Sequence, residues 1–540
     1  MSNWAIADVW ETVAERLPNA PALMHGDRRR NWREFERNAS GLASALADHG
    51  VRRGETFAQY LYNGVEYLES IFAAFKVGLV PVNTNYRYGD DELVYLFDNA
   101  DAAAVAFHGA FTERVAGIRS RLPRVRCWLW VDDRSGACPD WAVAYADATL
   151  AASERRPDSS GGRSGDDLFF LYTGGTTGLP KGVMWRQDDL FVRFGRSSTR
   201  RYPEEGNLDD VRAALDSPGY VHLCACPLMH GTGVVSSMSA LSQGGSVVTL
   251  PSRKFNAEEL LDTVAREKVQ TMAIVGDAFG RPIVDALDAQ PSWWDISSLV
   301  YVMSSGVRWS DAVKEGFLRH HPSLTLVDTL GSSESPGAGR SVTSRGGGSN
   351  TGGFVLSPRT RVLTEDGRDV IAGSNDIGLI AHFGRGPIGY YKDPEKSAQT
   401  FPTIDGQRAT ILGDYATVEG DGTITLLGRG SACINTAGEK VFPEEVEDAL
   451  RTHRDVEDVA VVGLADDRYG EKVCALVVMR PDCVFDPVTL IAHVKSRLAG
   501  YKAPKLVYAV DSLGRGPNGK LDYRMLKELA VGLATIQTSP

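Results

Sequence analysis

Between about residue 60 and residue 330, short apolar runs alternate with stretches of helical periodicity. Leu168-Phe169-Phe170-Leu171, Ser246 to Leu250, Thr271 to Val275 and Leu299 to Met303 are apolar with little alternation. That is the pattern of strands covered on both faces. Between the second and third runs, Asn256-Ala257-Glu258-Glu259 is a capping-box variant with Asn at the N-cap. Leu260, Leu261 and Val264 follow it at helical spacing. Near the start, Ile6, Val9, Trp10 and Val13 recur at helical spacing with Asp8, Glu11 and Glu15 between them. This predicts an amphipathic helix where a signal peptide would be uniformly apolar. Strand-helix-strand alternation predicts an α/β fold, a large domain of parallel-rich sheets covered by helices.

The pattern changes near Gly428-Arg429-Gly430-Ser431. Pro443-Glu444-Glu445-Val446 opens a helix, with Pro where the first turn tolerates it. Val459 to Gly463 and Lys472 to Val478 read as strands, Leu490 to Val494 as a second helix, and a further strand follows. The expected division is a large domain over residues 1–428 and a small α+β domain over 429–540. Residues 157–166 and 345–353 read as loops rich in Gly and Ser. There is no internal repeat.

Composition narrows the class. The chain has 540 residues, 43% apolar and 24% charged, as expected of a soluble globular protein of two to four domains. A net charge of −11 argues against nucleic acid and anionic membrane surfaces as partners. Arg28-Arg29-Arg30 reads as a solvated turn. Seven cysteines, an odd count, form no disulfide framework and suit a reducing cytoplasm. No apolar run reaches transmembrane length.

The chemistry is concentrated after the run Leu168 to Leu171. Tyr172-Thr173-Gly174-Gly175-Thr176-Thr177-Gly178-Leu179-Pro180-Lys181-Gly182 combines glycines, hydroxyls and one lysine. Glycines let backbone N–H groups approach an anion, hydroxyls add donors, and a lysine supplies a mobile charge. The spacing G-x-x-x-x-G-K-[ST] is missing, so this is not a Walker A loop. His222, Cys224, Cys226 and His230 can be read as a metal cluster, but small cysteines in a sheet core explain the string more cheaply. Gly384 to Gly389 and Gly514 to Gly519 fit G-x-G-x-x-G, yet each contains Pro and neither opens a helix after a strand.

The run Tyr172 to Gly182 resembles the phosphate loop of the adenylate-forming superfamily: acyl-CoA synthetases, luciferases and peptide-synthetase adenylation domains. Later strings match that family in order. Pro227 to Gly233 resembles the segment whose histidine, here His230, borders the acyl pocket. Leu330-Gly331-Ser332-Ser333-Glu334 stands where the family has aromatic-Gly-x-Thr-Glu. The resemblance makes Glu334, with Thr173, the holder of Mg²⁺ on ATP. Leu330 replaces the usual aromatic and Ser333 the usual Thr. Ser305, Gly306 and Val307 would wall the adenine slot. Asp414 and Arg429 match the ribose-binding pair, and Ser431 stands at the hinge, where the family has Asp or Lys. Gly438 and Lys440 resemble the segment lining the pantetheine tunnel. Lys520, in Arg515 to Lys520, matches the lysine that reaches the α-phosphate and the substrate carboxylate.

The resemblance spans essentially the whole chain and is nearest to bacterial acyl-CoA ligases for fatty acids or steroid side-chain acids. It implies ATP, Mg²⁺ and CoA as cofactor and co-substrates, a cytoplasmic enzyme, a small-molecule carboxylic acid as substrate, and possibly a homodimer. Gly233, Val234, Val275, Gly276 and Gly280, small and apolar, are the expected acyl-pocket lining. Two alternatives stay open: delivery of the acyl group to a carrier protein, and a non-catalytic nucleotide sensor. Amino-acid activation is disfavoured, since residues 230–236 offer no carboxylate for an α-amine.

Overall fold

The computed structural model describes residues 3–150, 162–173, 179–195, 200–307, 309–345, 353–429, 433–436, 439–466, 470–516 and 521–538. The chain divides into two compact units, one comprising residues 1–175, 179–351 and 383–410, the other 176–178, 352–382 and 411–540.

The first unit contains two parallel-rich sheets. In one, the strands Val221–Cys224, Thr271–Ile274, Tyr301–Ser305 and Thr325–Leu330 run parallel, and Gly339–Thr343 closes antiparallel on the last. The expected strands from Thr271 and Ser246 are present (Thr271–Ile274, Ser246–Thr249), and the third starts at Tyr301, two residues later than its apolar run. In the other sheet, Thr56–Tyr60 lies between Val80–Asn83 and Ala102–His108, and Leu168–Thr173 joins parallel beside Val80–Asn83. Helices cover both sheets because their apolar stripes are narrow. In Ala257–Glu267, Leu260, Leu261 and Val264 are buried while Glu258 stays at the surface. The Asn256 side chain caps that helix by accepting from the Glu259 N–H at 3.1 Å. The reciprocal half of the expected box is replaced: the Glu259 carboxylate accepts from the Ser252 N–H.

The first helix, Ile6–Arg16, buries Ile6, Val9, Trp10 and Val13 as its period predicts. Its polar face is also occupied. Glu11 pairs with the fully buried Lys76, which also reaches Glu36 at 2.8 Å, and Arg163 bridges Glu11 and Asp8. Arg163 lies within the stretch read as a loop. Buried charges of this kind persist because each is paired; removing one partner would leave an uncompensated charge in low dielectric. The arginine run is a correction. Arg28–Asn31 is a strand, and Arg28 and Arg30 bind the buried carboxylates of Glu66 and Glu69.

The strands Thr360–Leu363, Gly378–Phe383, Gln407–Val418, Ile424–Arg429 and Gly353–Leu356, all but Phe383 and residues 407–410 in the second unit, pair in one sheet. A separate α+β body follows. The hairpin Val456–Asp466 with Gly470–Met479 is its centre; Leu506–Ala509 pairs parallel with the latter, and the helices Pro443–Arg451, Pro487–Lys495 and Tyr523–Thr538 complete it. Helix, strand, strand, helix, strand was the expected order. The preceding strands Ile434–Thr436 and Glu439–Val441 and the final helix are additions, too short or too weakly patterned to stand out.

Candidate active site

In the first unit, the carboxyl ends of parallel strands from both sheets carry the segments with chemistry, which is where open α/β sheets bind ligands. Leu168–Thr173 ends at Thr173. The chain then returns as the antiparallel strand Lys181–Arg186, with Thr173 directly opposite Lys181. The phosphate loop therefore closes a hairpin whose two flanking residues are the hydroxyl and the ammonium expected to meet phosphate. Gly174, Gly175, Thr176, Thr177 and Gly178 lie outside the described residues.

Asn83 ties this hairpin to the histidine segment. At the end of Val80–Asn83 and buried, its side-chain amide donates to the carbonyls of Tyr172 (2.9 Å) and Met229 (2.6 Å) and accepts from the Tyr172 N–H (2.6 Å). Next to Met229, His230 is half-buried at the N-cap of the helix Gly231–Ser242. A Cβ on Gly231 would lie 3.2 Å from Leu171 and 3.5 Å from the Ser333 hydroxyl. The phosphate hairpin, the His230 turn and the 330–334 segment thus meet.

The 330–334 segment is a tight turn. Ser332 and Ser335 exchange backbone hydrogen bonds, and a Cβ on Gly331 would meet the Ser335 carbonyl at 2.7 Å. Trp185, on the outgoing strand of the phosphate hairpin, donates its indole N–H to the Ser333 carbonyl at 2.9 Å. Glu334 is half-buried and accepts from the Tyr390 hydroxyl at 2.7 Å. Lys181 pairs with Asp393, three residues beyond Tyr390, and holds the Asp393 carboxyl below the usual carboxylate range. Asn83, Trp185, Tyr390 and Asp393 were not among the expected site residues. Tyr390 and Asp393 lie in Gly389-Tyr390-Tyr391-Lys392-Asp393, where no local pattern announces these contacts.

Ser305 and Leu330 end neighbouring parallel strands, with Ser305 opposite Thr329 and its hydroxyl donating to the Thr329 carbonyl at 3.0 Å. Gly306 follows at φ +87°, and among the described residues nothing lies within 4 Å of where its Cβ would be. In the second unit, Asp414 and Arg429 are cross-strand partners. The side chains of Arg429 and Lys440, and Ser431, Gly438 and Lys520 entirely, lie outside the described residues.

The small residues expected to line an acyl pocket also pack against the protein itself. A Cβ on Gly233 would strike the Pro227 carbonyl at 2.5 Å, and one on Gly280 would meet Val313 at 2.9 Å and Trp309 at 3.0 Å. Gly276 adopts φ +54°, a left-handed backbone that favours glycine, and its N–H donates to Ser304. Gly233 and Gly280 pack closely on protein, Gly276 opens the helix Gly276–Ala289, and Val234 and Val275 belong to the buried core. His222 is fully engaged, with Nδ1 3.0 Å from Thr271 Oγ1 and Nε2 3.1 Å from Ser236 Oγ. Burial pushes it down to about 4.

The Thr173–Lys181 hairpin, the His230 turn and the Glu334 turn are thus brought together at the carboxyl ends of the strands, in an arrangement shared with adenylate-forming enzymes. Comparison with known proteins agrees. The AMP-binding enzyme family model matches residues 10–385, and that of the AMP-binding enzyme C-terminal domain matches residues 445–520. The chain is 41% identical over 531 residues to a medium/long-chain-fatty-acid–CoA/3-oxocholest-4-en-26-oate–CoA ligase of Mycobacterium tuberculosis, covering 97% of this chain and 95% of that one. It is 37% identical over 536 residues to a 3-oxocholest-4-en-26-oate–CoA ligase of Rhodococcus rhodochrous, covering 97% and 95%. The crystal structure of the anthranilate CoA ligase AuaEII with anthranoyl-AMP shares the fold at a TM-score of 0.83, covering 99% of both chains at 21% identity. The chain belongs to the AMP-binding enzyme family. It is an AMP-forming acid–CoA ligase, a class that implies ATP and CoA as co-substrates. Among the described residues, no helix is long and apolar enough to cross a membrane.

Proposed function

We propose that this enzyme activates a hydrophobic carboxylic acid, a medium- or long-chain fatty acid or a steroid side-chain acid, as its CoA thioester. The relatives carry this reading: two ligases named for such acids align with 97% of the chain. We keep Gly233, Val234, Val275, Gly276 and Gly280 as the proposed acyl-pocket lining beside His230.

A carboxylate is a poor electrophile, so one oxygen must become a leaving group. In the proposed first step the acid's carboxylate attacks the α-phosphate of ATP and pyrophosphate leaves. Thr173 and Lys181, facing each other at the mouth of the hairpin, bind the phosphates, and Lys520 meets the charge that develops on the α-phosphate. Ser305, Gly306, Val307 and the turn Gly331, Ser332, Ser333 border the adenine, while Asp414 and Arg429 hold the ribose. In the second step the CoA thiol attacks the acyl carbon beside His230, AMP leaves, and the segment of Gly438 and Lys440 guides the pantetheine. We place the boundary between the large and the small domain at residues 428/429.

Glu334 and Thr173 would hold Mg²⁺. The Glu334 carboxylate, half-buried, and the Thr173 hydroxyl supply only oxygen donors, which suits a hard cation that also binds phosphate. When bound, the ion would neutralise charge on the departing pyrophosphate. We also read the enzyme as cytoplasmic, supported by seven free cysteines, and as a homodimer, which light scattering would test.

The experiment is a panel of acids from acetate to long-chain and steroid acids, assayed for pyrophosphate, AMP and thioester with CoA or a phosphopantetheinylated carrier protein. Each buried methylene should contribute about 0.8 kcal/mol, so kcat/KM should climb with chain length until the pocket is full. Highest activity on acetate would overturn the acyl assignment. Transfer only to the carrier protein would overturn CoA as acceptor, and no pyrophosphate with any acid would leave a nucleotide sensor.

A further inference from the structure

We infer that Tyr390 is a positioning residue whose hydroxyl sets the Glu334 carboxylate for the divalent cation that accompanies ATP. The inference rests on the reading of Glu334 as a metal ligand and adds to it a group that orients the ligand.

A glutamate alone is a poor site for a small cation. It has three rotatable side-chain bonds, and freezing them opposes binding. Magnesium tolerates little error in ligand position. A hydrogen bond to one carboxylate oxygen removes most of that freedom while leaving the other oxygen as a ligand, and outer groups of this kind commonly decide how well a metal ligand works. Tyr390 meets the geometry, with Oη 2.7 Å from Glu334 Oε1. Among the described residues, it is the one hydrogen-bond partner of that carboxylate.

Tyr390 is itself held on every side. Its backbone lies in the short strand Gly389–Tyr390, paired with the outgoing strand of the phosphate hairpin so that Tyr390 faces Val183. Its N–H donates to the Ser397 hydroxyl at 2.8 Å. Its ring is buried, 5.3 Å from the Phe401 ring centre and 5.8 Å from Lys181 Nζ. The cost of immobilising this phenol is therefore met in folding and not in nucleotide binding. The neighbouring turn deepens the arrangement. Asp393 caps the helix Pro394–Thr400 through the Lys396 N–H and pairs with Lys181. One short segment, residues 389–393, thus grips both the acidic and the basic group expected to meet the phosphates. All of these contacts lie within the first unit.

The test compares Tyr390→Phe, Glu334→Gln and the double variant in the full-length chain. Tyr390→Phe deletes one oxygen and keeps the ring on Phe401 and the backbone pairing. Binding of Mg·ATP is measured by titration calorimetry and of Mn²⁺·ATP by electron paramagnetic resonance, with AMP binding and melting temperature as controls. Tyr390→Phe should weaken the metal–nucleotide complexes roughly tenfold, as loss of one hydrogen bond to a charged group implies. AMP affinity and melting temperature should hold. Glu334→Gln should weaken the same complexes more, and the double variant should add little, because the hydroxyl acts through the carboxylate. If Glu334→Gln weakens Mg·ATP while Tyr390→Phe does not, the positioning role is overturned and the metal reading of Glu334 stands. If Glu334→Gln leaves Mg·ATP unchanged, that metal reading falls and the inference with it. If Tyr390→Phe weakens AMP as much as Mg·ATP, the tyrosine supports the nucleotide pocket in general and the inference is wrong.

Discussion

Replacing Asn83 should damage the enzyme more than its distance from the reacting atoms suggests. The side chain is 5% exposed and satisfies three backbone groups: the N–H and carbonyl of Tyr172 and the carbonyl of Met229. Asn83→Ala leaves all three without that partner. A buried polar group left unpaired costs about 1–3 kcal/mol, and partial relaxation brings the expected total to about 3–4 kcal/mol. Asn83→Asp separates the hydrogen bonds from the volume. It fits the same space and can still accept from Tyr172 N–H, but it aims a carboxylate at two carbonyl oxygens. We expect it to be at least as harmful as alanine at neutral pH, and to recover on acidification, when the protonated acid can donate. The assay is denaturant melting together with hydrogen exchange of the peptide spanning residues 168–173. Amide protection there should drop in both variants. Kinetically, the neighbours Thr173 and His230 should both lose definition, raising KM for ATP and lowering kcat. An aspartate variant clearly milder than alanine would show that packing volume, and not the donated hydrogen bonds, holds the hairpin to the histidine turn.

Lys520→Ala should slow adenylation by roughly 10²–10³, the usual cost of losing one transition-state donor. Thioester formation from supplied acyl-adenylate should be spared, and equal loss in both half-reactions would count against a lysine used only in the first. His222, with a pKa of about 4 in the fold against 6.5 unfolded, makes stability pH-dependent. Between those values the unfolded chain binds a proton that the folded chain refuses, so this contribution is intact above 6.5 and falls as pH drops toward 4. The loss is up to about 3 kcal/mol, and His222→Asn should flatten that part of the stability–pH curve. Lys314, 1% exposed, pairs with Asp328, whose carboxyl burial pushes up. Lys314→Met should destabilise by about 3–5 kcal/mol, and adding Asp328→Leu should restore most of it, because the penalty is the orphaned charge; a double variant as unstable as the single would refute that.

Much of this site was legible because its local signals are strong. A short apolar run such as Leu168 to Leu171 that breaks at once into glycines reads as a covered strand, and glycines with hydroxyls after it are the usual composition of an anion-binding loop. What stayed hidden depends on contacts far apart in sequence. Asn83 reaches a carbonyl 146 residues away, and Tyr390 a carboxylate 56 residues away; no pattern around either announces the partner. Arg28 to Arg30 looked like a solvated turn because Glu66 and Glu69, which bind two of them, lie on a helix more than thirty residues further along the chain. The glycines are ambiguous for another reason. Lacking a Cβ serves a substrate pocket, a helix contact and a left-handed turn alike, and only coordinates separate Gly233 and Gly280, packed on protein, from Gly276, bent at φ +54°.

The central claim is that one site makes an acyl-adenylate from a hydrophobic acid and then hands the acyl group to CoA. A rapid-quench single turnover tests it directly, with enzyme in excess over ATP labelled at the α-phosphate and a long-chain acid present. Without CoA, acyl-adenylate and pyrophosphate should accumulate together in equal amounts. On addition of CoA, the adenylate should decay at the rate at which acyl-CoA and AMP appear. Release of ADP and phosphate, or thioester formed with no adenylate preceding it, would contradict the account.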